Sequence, residues 1–524
     1  MSKPSPDWLA RRYGGTALRP ATFAWPPRAE IALMLLKRYF ARVSGASISP
    51  VCEFTLRFVR TVILSRLLMP DDLGAAVALV TILTSCEVIT DVGVDKFIIV
   101  NSGEQRAQAV AAAQEIIVIR ALVIALAIAI FAPALASIFG AAAHVGSIRW
   151  LGAVPVLRSL RNLRIVQIQQ DYRYGPEAVA NVVGQLGAVV IIVPAALWFE
   201  DERAMLASLL AEAALYAVMS HLLVPRERVR SVNPTMRRAA LTYGLPLMVN
   251  GVGLMALAQF DRAVVANLFS LATLALYSLA LAIAIVPTSV LQRVAGNLSI
   301  PFLADARANP KTSREASLIV VLASAIGAAA YAVGIALFLQ KFVPLLYGSR
   351  YTVSSAFCAL AAIVVFLRVA RGGVNLVLLA HSKTARLTVG NIMGGIGLIA
   401  GFLLALWSQR VEAVVLGTLI GDLLSLIVLC VLARRYLPMG STLGHGSVLG
   451  LTVLASAFAS VEIAGTGWGI RFLFFAAGMV VITADAGLVY WRVVAEFLRA
   501  RRVSSRELPN QLPAQNTILL EDKF

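Results

Sequence analysis

Glu53, Arg57 and Arg60 stand at i, i+4 and i+7 in an otherwise apolar stretch, a spacing that sets all three along one stripe of an α-helix. Glu87 and Asp91 repeat the i, i+4 spacing in the next apolar stretch. Asp261 and Arg262 are adjacent in a later one, and Arg293 follows Pro287 by more than one turn. A charge at the centre of a bilayer costs at least about 2.5–3.5 kcal/mol, so such side chains turn toward other helices or a wet cavity. Guanidinium groups grip phosphate oxygens bidentately, and the carboxylates among them are candidates for binding and releasing a coupling ion. Arg158/Arg161 and Arg368/Arg371 are two further pairs at i, i+3, each on one helix face. The chemistry open to this set is the binding of an anion and the exchange of ions. Plainer roles stand beside it. Glu53 and Arg57 can neutralise each other within one helix, Arg60, Glu87, Asp91 and Arg293 can snorkel to an interface, and the two arginine pairs can serve topology alone.

The elements that position these charges follow from composition. Of the 524 residues 59% are hydrophobic and only 14% charged, with a mean hydropathy of +0.81. A soluble domain has roughly a quarter of its residues charged, so most of this surface must face lipid. The net charge of +18 comes from Lys and Arg at the ends of apolar stretches, on alternate sides, as membrane topology demands. No basic patch interleaved with aromatics points to nucleic acid. Cys52, Cys86, Cys358 and Cys430 lie in apolar segments without paired spacing, and His144, His221, His381 and His445 are scattered; neither set suggests a metal site or a cofactor. The apolar run from Ile31 to Leu36, followed by Lys37 and Arg38, is too short for a secretory signal, so the first span is expected to target the chain.

With about 20 apolar residues per crossing, the sequence predicts an all-α polytopic membrane protein with about fourteen transmembrane helices. These include spans near 43–65, 73–98, 146–168, 241–268, 447–464 and 470–491. The expected organisation is a cytoplasmic arm over 1–42, six helices over 43–224, a basic cytoplasmic linker over 225–240, six helices over 241–436, two more over 447–491, and a cytoplasmic tail over 492–524. Arg66, Arg149, Arg203, Lys341, Arg350, Arg410 and Arg471 fall on the outer side, and Arg57, Arg60, Arg120, Arg262 and Arg293 within spans. Every other Lys and Arg of the 46 lies on the cytoplasmic side, which places both termini inside. Every outer loop is short, and none has the length or polar density to present a catalytic cluster; an enzyme such as a glycan polymerase or ligase is not expected.

An internal repeat organises the first twelve spans. Shifted by 210 residues, Val154–Gly187 overlays Val364–Gly397 without a gap. Arg158 meets Arg368 and Arg161 meets Arg371, while Asn181, Gly184 and Gly187 meet Asn391, Gly394 and Gly397. A shift of 202 sets Phe58-Val-Arg60 on Phe260-Asp-Arg262. An offset of six helices, an even number, makes the halves parallel repeats, an arrangement in which substrate binds between rocking lobes. An electropositive cavity between the lobes is the resulting expectation.

Several short motifs then carry a resemblance. Arg66-Leu-Leu-Met-Pro70-Asp-Asp-Leu-Gly74 is similar to an R-x-L-x-P-x-x-x-G turn, and Asp91-Val-Gly93 to a D-x-G. Asp261-Arg262, Tyr277-Ser278 and the loop Phe342–Tyr351 follow in order. From about Val43 to Pro438 the chain resembles the polysaccharide-exporter branch of the MATE-like flippase superfamily. Leu276 departs from the usual Gly, and the two extra C-terminal helices look more like the peptidoglycan-precursor branch. The resemblance implies a flippase that carries an undecaprenyl-diphosphate-linked oligosaccharide across the inner membrane, for exopolysaccharide, capsule or O-antigen synthesis. It implies alternating access driven by an ion gradient and no cofactor, with polysaccharide polymerase or export machinery as further partners. Its candidate substrate-binding residues are Arg57, Arg60, Arg158, Arg161, Arg262, Arg293, Arg368 and Arg371, and its candidate ion-coupling residues Glu53, Glu87, Asp91 and Asp261. A MATE-type drug or metabolite exporter is the rival, but cationic substrates favour acidic and aromatic cavities over this arginine excess. A non-transporting partner in an assembly complex is a further one. A topology reporter fused near Arg230 is expected to score as cytoplasmic, and one near Asp201 as external; the reverse pattern overturns the orientation.

Overall fold

In lipid the backbone has no water to bond and must satisfy itself, which for single segments means helix. The computed structural model describes residues 51–101, 106–171, 173–225, 234–463, 465 and 467–507, and every regular element among them is helical. The described part of the first helix, α1, covers 51–67. It is followed by α2 (Pro70–Ile89), α3 (Val94–Val100) and α4 (Arg106–Ile138). Three short helices, α5 (Val145–Leu151), α6 (Ala153–Ser159) and α7 (Arg164–Gln167), lead to α8 (Gly175–Phe199) and α9 (Arg203–Leu223). Then come α10 (Pro234–Leu268), α11 (Leu271–Asp305), α12 (Pro310–Tyr347), α13 (Ser355–Ala380), α14 (Thr384–Ser408) and α15 (Glu412–Ala433). The last pair is α16 (Met439–Glu462) and α17 (Trp468–Glu507).

Eleven helices among the described residues are long and apolar enough to cross a membrane, against the fourteen spans expected. Of the other three, 43–65 is described only from residue 51, and 241–268 lies inside α10. The third, 146–168, is broken into short helices. Asn162 explains that break: its backbone N–H donates to Ser220 Oγ (2.8 Å) and its side chain to the Val224 carbonyl (2.8 Å), an alternative to helical bonding. Arg158 and Arg161 therefore straddle a helix end instead of sharing one helix face. Asp91 likewise leaves the helix carrying Glu87, because α2 stops at Ile89. Its Oδ1 accepts the Gly93 N–H at 3.1 Å, and Gly93 takes a left-handed conformation (φ 59°) to start α3.

Two segments expected to be polar connections are helical. Pro234, suited to a first helical position, starts α10 within the expected linker, and α17 continues to Glu507 where a tail was expected. The expected arm over 1–42, linker residues 226–233 and the tail from 508 lie outside the described residues.

The repeated glycines are where helices touch. A Cβ at Gly184 would meet the Glu212 carbonyl at 3.1 Å, and one at Gly187 the Leu215 side chain, pressing α8 onto α9. Gly397 would meet Gly417 and Gly421 backbone at 2.4–2.6 Å, pressing α14 onto α15. Close backbone approach of this kind is what drives helix association where water cannot.

The halves meet at both ends of the bundle. At one end α10 packs on α2 and α4, where a Cβ at Gly244 would collide with the Val92 carbonyl and Arg237 pairs with Glu115 at 2.8 Å; the other end holds the α1–α2 turn. Arg66 Nη2 donates to the Leu345 carbonyl (2.6 Å) and Nε to Leu346 (2.8 Å). Asp71 Oδ1 accepts the Ala272 N–H (3.1 Å), Asn267 donates to the Ser137 carbonyl (3.2 Å), and a Cβ at Gly74 would collide with Leu271 backbone. The 66–74 turn and the 342–351 loop thus form one joint. A cysteine placed at Ala275, fully buried here, is expected to resist an impermeant maleimide added on that side. In an Arg66→Ala background it should react several-fold faster, and equal rates would show that the clamp does not seal this face.

Candidate functional site

The stripe expected on α1 forms, and it faces α9. Glu53 and Arg57 pair at 2.6 Å, and Arg57 reaches Glu212 at 3.9 Å. Arg60, buried at 5% exposure, donates to Glu212 Oε2 at 3.0 Å and to Ser208 Oγ at 3.3 Å. Arg158 at the end of α6 spans both Glu87 Oε2 (2.7 Å) and Glu212 Oε1 (3.2 Å). Arg161 holds both oxygens of Asp95 at 2.7 and 2.8 Å. Arg120 of α4 donates to the Glu87 carbonyl (2.7 Å) and Thr90 Oγ1 (3.1 Å), and lies 3.7 Å from Asp91.

Part of this network lines a cavity of about 280 Å³ between α1, α2, α4, α6, α8 and α9, while Glu53, Arg60, Asp91 and Asp95 stand behind its wall. Arg57, Arg120, Arg158 and Arg161 line it against Glu87, Glu177 and Glu212, beside Asn181, Gln185 and Tyr216. It lies within the first half of the chain, not between the halves as expected, and its arginines face carboxylates at close range. Glu177 differs from the other two acids: its described partner is the neutral Gln169 amide, which donates to Oε2. Gln185, 3% exposed, has an amide oxygen without a hydrogen-bond partner.

The second half repeats the central theme. Arg368 and Arg371, both on α13, hold the two oxygens of Asp422 at 3.2 and 3.0 Å, and Arg371 also donates to Ser425 (3.1 Å). Glu212 and Asp422 are themselves 210 residues apart, the same shift that aligns the arginines, so Arg158 and Arg368 each lie 54 residues before the acid they bind. Sequence reasoning missed both acids because it followed the overlay only from Val154 to Gly187; extending it one helix would have paired them. The remaining expected residues lie apart from the cavity. Asp261 accepts from Tyr277 Oη (2.8 Å) and from the Arg262 N–H (2.8 Å), and Arg262 donates to Gln259 (2.5 Å). Arg293 is exposed on α11.

A second cavity, about 620 Å³, is apolar. It is walled by Val51, Phe54 and Phe58 of α1, Ile283, Val286 and Val290 of α11, Phe338 of α12, and Phe472 and Phe475 of α17. The apolar stripe of α11 continues through Val290 to Arg293, one turn further on. Helix α17 is tied in place by Arg471, which is fully buried. It donates to the carbonyls of Leu337 and Ile463 and to Gln340 Oε1. Counted as an outer-side topology charge, Arg471 acts here as a tie between α17 and α12.

The model of the family described as "Polysaccharide biosynthesis protein" matches residues 63–356, more than half of the chain. The chain belongs to that family. Its fold is similar to the lipid II flippase MurJ in an inward closed conformation, with TM-score 0.62 and 11% identity over 86% of this chain and 99% of that one. An inward-facing multidrug resistance MATE family transporter of the MOP superfamily matches with TM-score 0.56 and 16% identity, over 73% of this chain and 94% of the other. The Vibrio cholerae MATE transporter VcmN matches with TM-score 0.51 and 14% identity, over 76% and 97%. No curated protein sequence is a significant match. At these identities the structural likeness establishes the fold: a multi-pass, MATE-like transporter fold in a polysaccharide-biosynthesis family.

Removing one partner of a buried ion pair strands the other charge, at a cost of about 3–5 kcal/mol. Glu212→Ala and Asp422→Ala are each expected to lower the apparent melting temperature in detergent. Glu212→Ala should cost more, since Glu212 neutralises arginines from two separate segments. An unchanged melting curve for Glu212→Ala would sink its role as a hub.

Proposed function

We propose that this protein is a flippase that moves an undecaprenyl-diphosphate-linked oligosaccharide from the cytoplasmic to the outer leaflet of the inner membrane, by alternating access coupled to an ion gradient. One observation carries the reading. Helix α1 turns Arg57 to the polar cavity, with Glu53 bound to Arg57 and Arg60 bound to the lining residue Glu212, and its opposite face, Val51–Phe54–Phe58, to the apolar one. A substrate with a charged diphosphate and a long hydrocarbon tail needs both environments side by side. The larger, apolar cavity suits a length of polyprenyl chain, and Arg57 and Arg293, the more exposed arginines, stand where a diphosphate could be gripped.

The carboxylates supply the exchange. They occupy the guanidinium groups, so an incoming diphosphate competes with them, and carboxylates that recapture the arginines promote release. Glu53, Glu87, Asp91 and Asp261 remain coupling candidates. Glu177 joins them with a particular fitness: it lines the cavity beside a neutral amide, so its protonation breaks no arginine ion pair. The arginine clamp at Arg66 supplies the closed outer face, with both termini on the cytoplasmic side and the repeated halves, 43–224 and 241–436, as the rocking lobes. A peptidoglycan precursor offers the same diphosphate and tail, and the wall that α17 adds to the apolar cavity is the observation that favours this second reading.

A charge-assisted hydrogen bond contributes about 1.5–3 kcal/mol, roughly ten- to a hundredfold in rate or affinity. Arg57→Ala and Arg293→Ala should leave expression and melting intact while lowering export by about that factor, with lipid-linked repeat units accumulating on the cytoplasmic leaflet. Normal export in both variants would overturn the diphosphate site. Supplying oligosaccharide-linked and peptidoglycan-type lipids separately to reconstituted vesicles distinguishes the two substrate readings.

A further inference from the structure

Helix α8 carries a polar stripe that the ion-pair network does not use. Glu177, Asn181 and Gln185 stand at i, i+4 and i+8 on one face of the helix, and all three line the polar cavity. Among the described residues neither the Asn181 nor the Gln185 side-chain amide has a hydrogen-bond partner, although Gln185 is only 3% exposed. Glu177 engages the Gln169 amide through Oε2, and its Oε1 accepts from no described residue. Arg57, Arg120, Arg158 and Arg161, by contrast, each face a carboxylate. The unmet hydrogen-bonding capacity of the cavity is therefore concentrated on α8. A buried amide without partners leaves its desolvation uncompensated, which calls for a ligand that supplies the missing bonds.

The internal repeat separates packing from recognition. The shift of 210 residues that carries Arg158, Arg161 and Glu212 onto Arg368, Arg371 and Asp422 carries Glu177 onto Leu387, Gln185 onto Gly395 and Tyr216 onto Leu426. Asn181 keeps its type, as Asn391. Both halves use an arginine–carboxylate closure to hold their helices. The first half alone sets an acid, a second amide and a phenol beside that closure. Groups that the second copy packs without serve something other than packing.

We propose that the α8 stripe is a sugar-recognition subsite, which holds the sugar joined to the diphosphate of the lipid-linked substrate. The proposal rests on the flippase reading and deepens it. Asn181 and Gln185 each offer donors and an acceptor, and Glu177 a charged acceptor, the complement of a ring that carries several hydroxyl groups. A phosphate on the stripe would face the Glu177 carboxylate. A metal ion fits no better: the stripe runs about 12 Å along the helix axis at 1.5 Å per residue, whereas coordination bonds are about 2.3–2.6 Å long. Among the described residues no group of three His, Cys, Asp or Glu is placed to hold such an ion. Arg57 lines the same cavity and reaches Glu212 at 3.9 Å, and Gly184, beside Gln185, packs on the Glu212 carbonyl. A diphosphate held by Arg57 thus has its first sugar next to the stripe.

Asn181→Leu and Gln185→Leu test this, because the two amides carry no charge and so separate sugar recognition from ion coupling. The full chain, held in lipid nanodiscs, is given undecaprenyl diphosphate or the same lipid bearing one glucose, galactose or N-acetylglucosamine. The unaltered protein is expected to bind at least one sugar-bearing lipid more tightly than the bare one. Each variant should cut that advantage by about three- to tenfold and leave affinity for the bare lipid unchanged. The replaced amides have no partner to lose, so the melting temperature in detergent should hold or rise, whereas a structural role predicts a fall. Gln185→Met and Asn181→Ala cover the case in which a Leu variant does not fold. A sugar advantage that is absent from the unaltered protein, or that no variant reduces, overturns the subsite while binding of the bare lipid leaves the flippase reading standing. Failure to bind any of these lipids sinks that reading, and the subsite with it.

Discussion

The Glu212 carboxylate, with its side chain one-tenth exposed, accepts Arg60 from α1 on one oxygen and Arg158 from α6 on the other. Three segments far apart in sequence are fastened at this point. None of the three charges could remain alone in an apolar bundle, because leaving one unpaired costs several kcal/mol while the closed set satisfies itself. The polar cavity exists because this closure props α1 and α6 against α9 with their charges turned inward. Asp422 does the same in the second half, although its two arginines come from a single helix.

The short motifs that carry the family resemblance do other work. Arg66 binds the carbonyls of Leu345 and Leu346, Asp71 accepts from Ala272, and Gly74 admits the Leu271 backbone. These contacts join the two halves at one face. Asp91 turns the chain at Gly93, and Tyr277 fastens Asp261. Arginine networks stiffen each half from within, while the motif residues set how the halves meet at that face. The transport cycle proposed above needs both: lobes that move as units and a joint whose contacts can be given up.

Helix α1 divides two solvents. One face meets ion pairs and the other meets phenylalanines, and α17 closes the apolar side through Phe472 and Phe475. The C-terminal hairpin, which the internal repeat leaves unexplained, thereby gains a structural place: Arg471 pins it, and its aromatic face completes a cavity that the two six-helix units leave open.

Much of this was legible in the residues alone. Hydropathy required a membrane-spanning helical protein, because a chain with so few charges has no other way to cover its surface. The register of Arg158 and Gly187 on Arg368 and Gly397 exposed the duplication, since identical packing problems retain arginines and glycines at identical positions. The i, i+4, i+7 stripe of α1 was equally plain, because helical periodicity alone puts Glu53, Arg57 and Arg60 on one side. Pairing was beyond its reach. Which acid answers which arginine depends on how helices 50 to 150 residues apart are packed. Only the tertiary structure could place Glu212 between Arg60 and Arg158 and draw the cavity into the first half instead of between the halves. Local spacing decides which face of a helix a charge occupies, and long-range packing decides what it meets there.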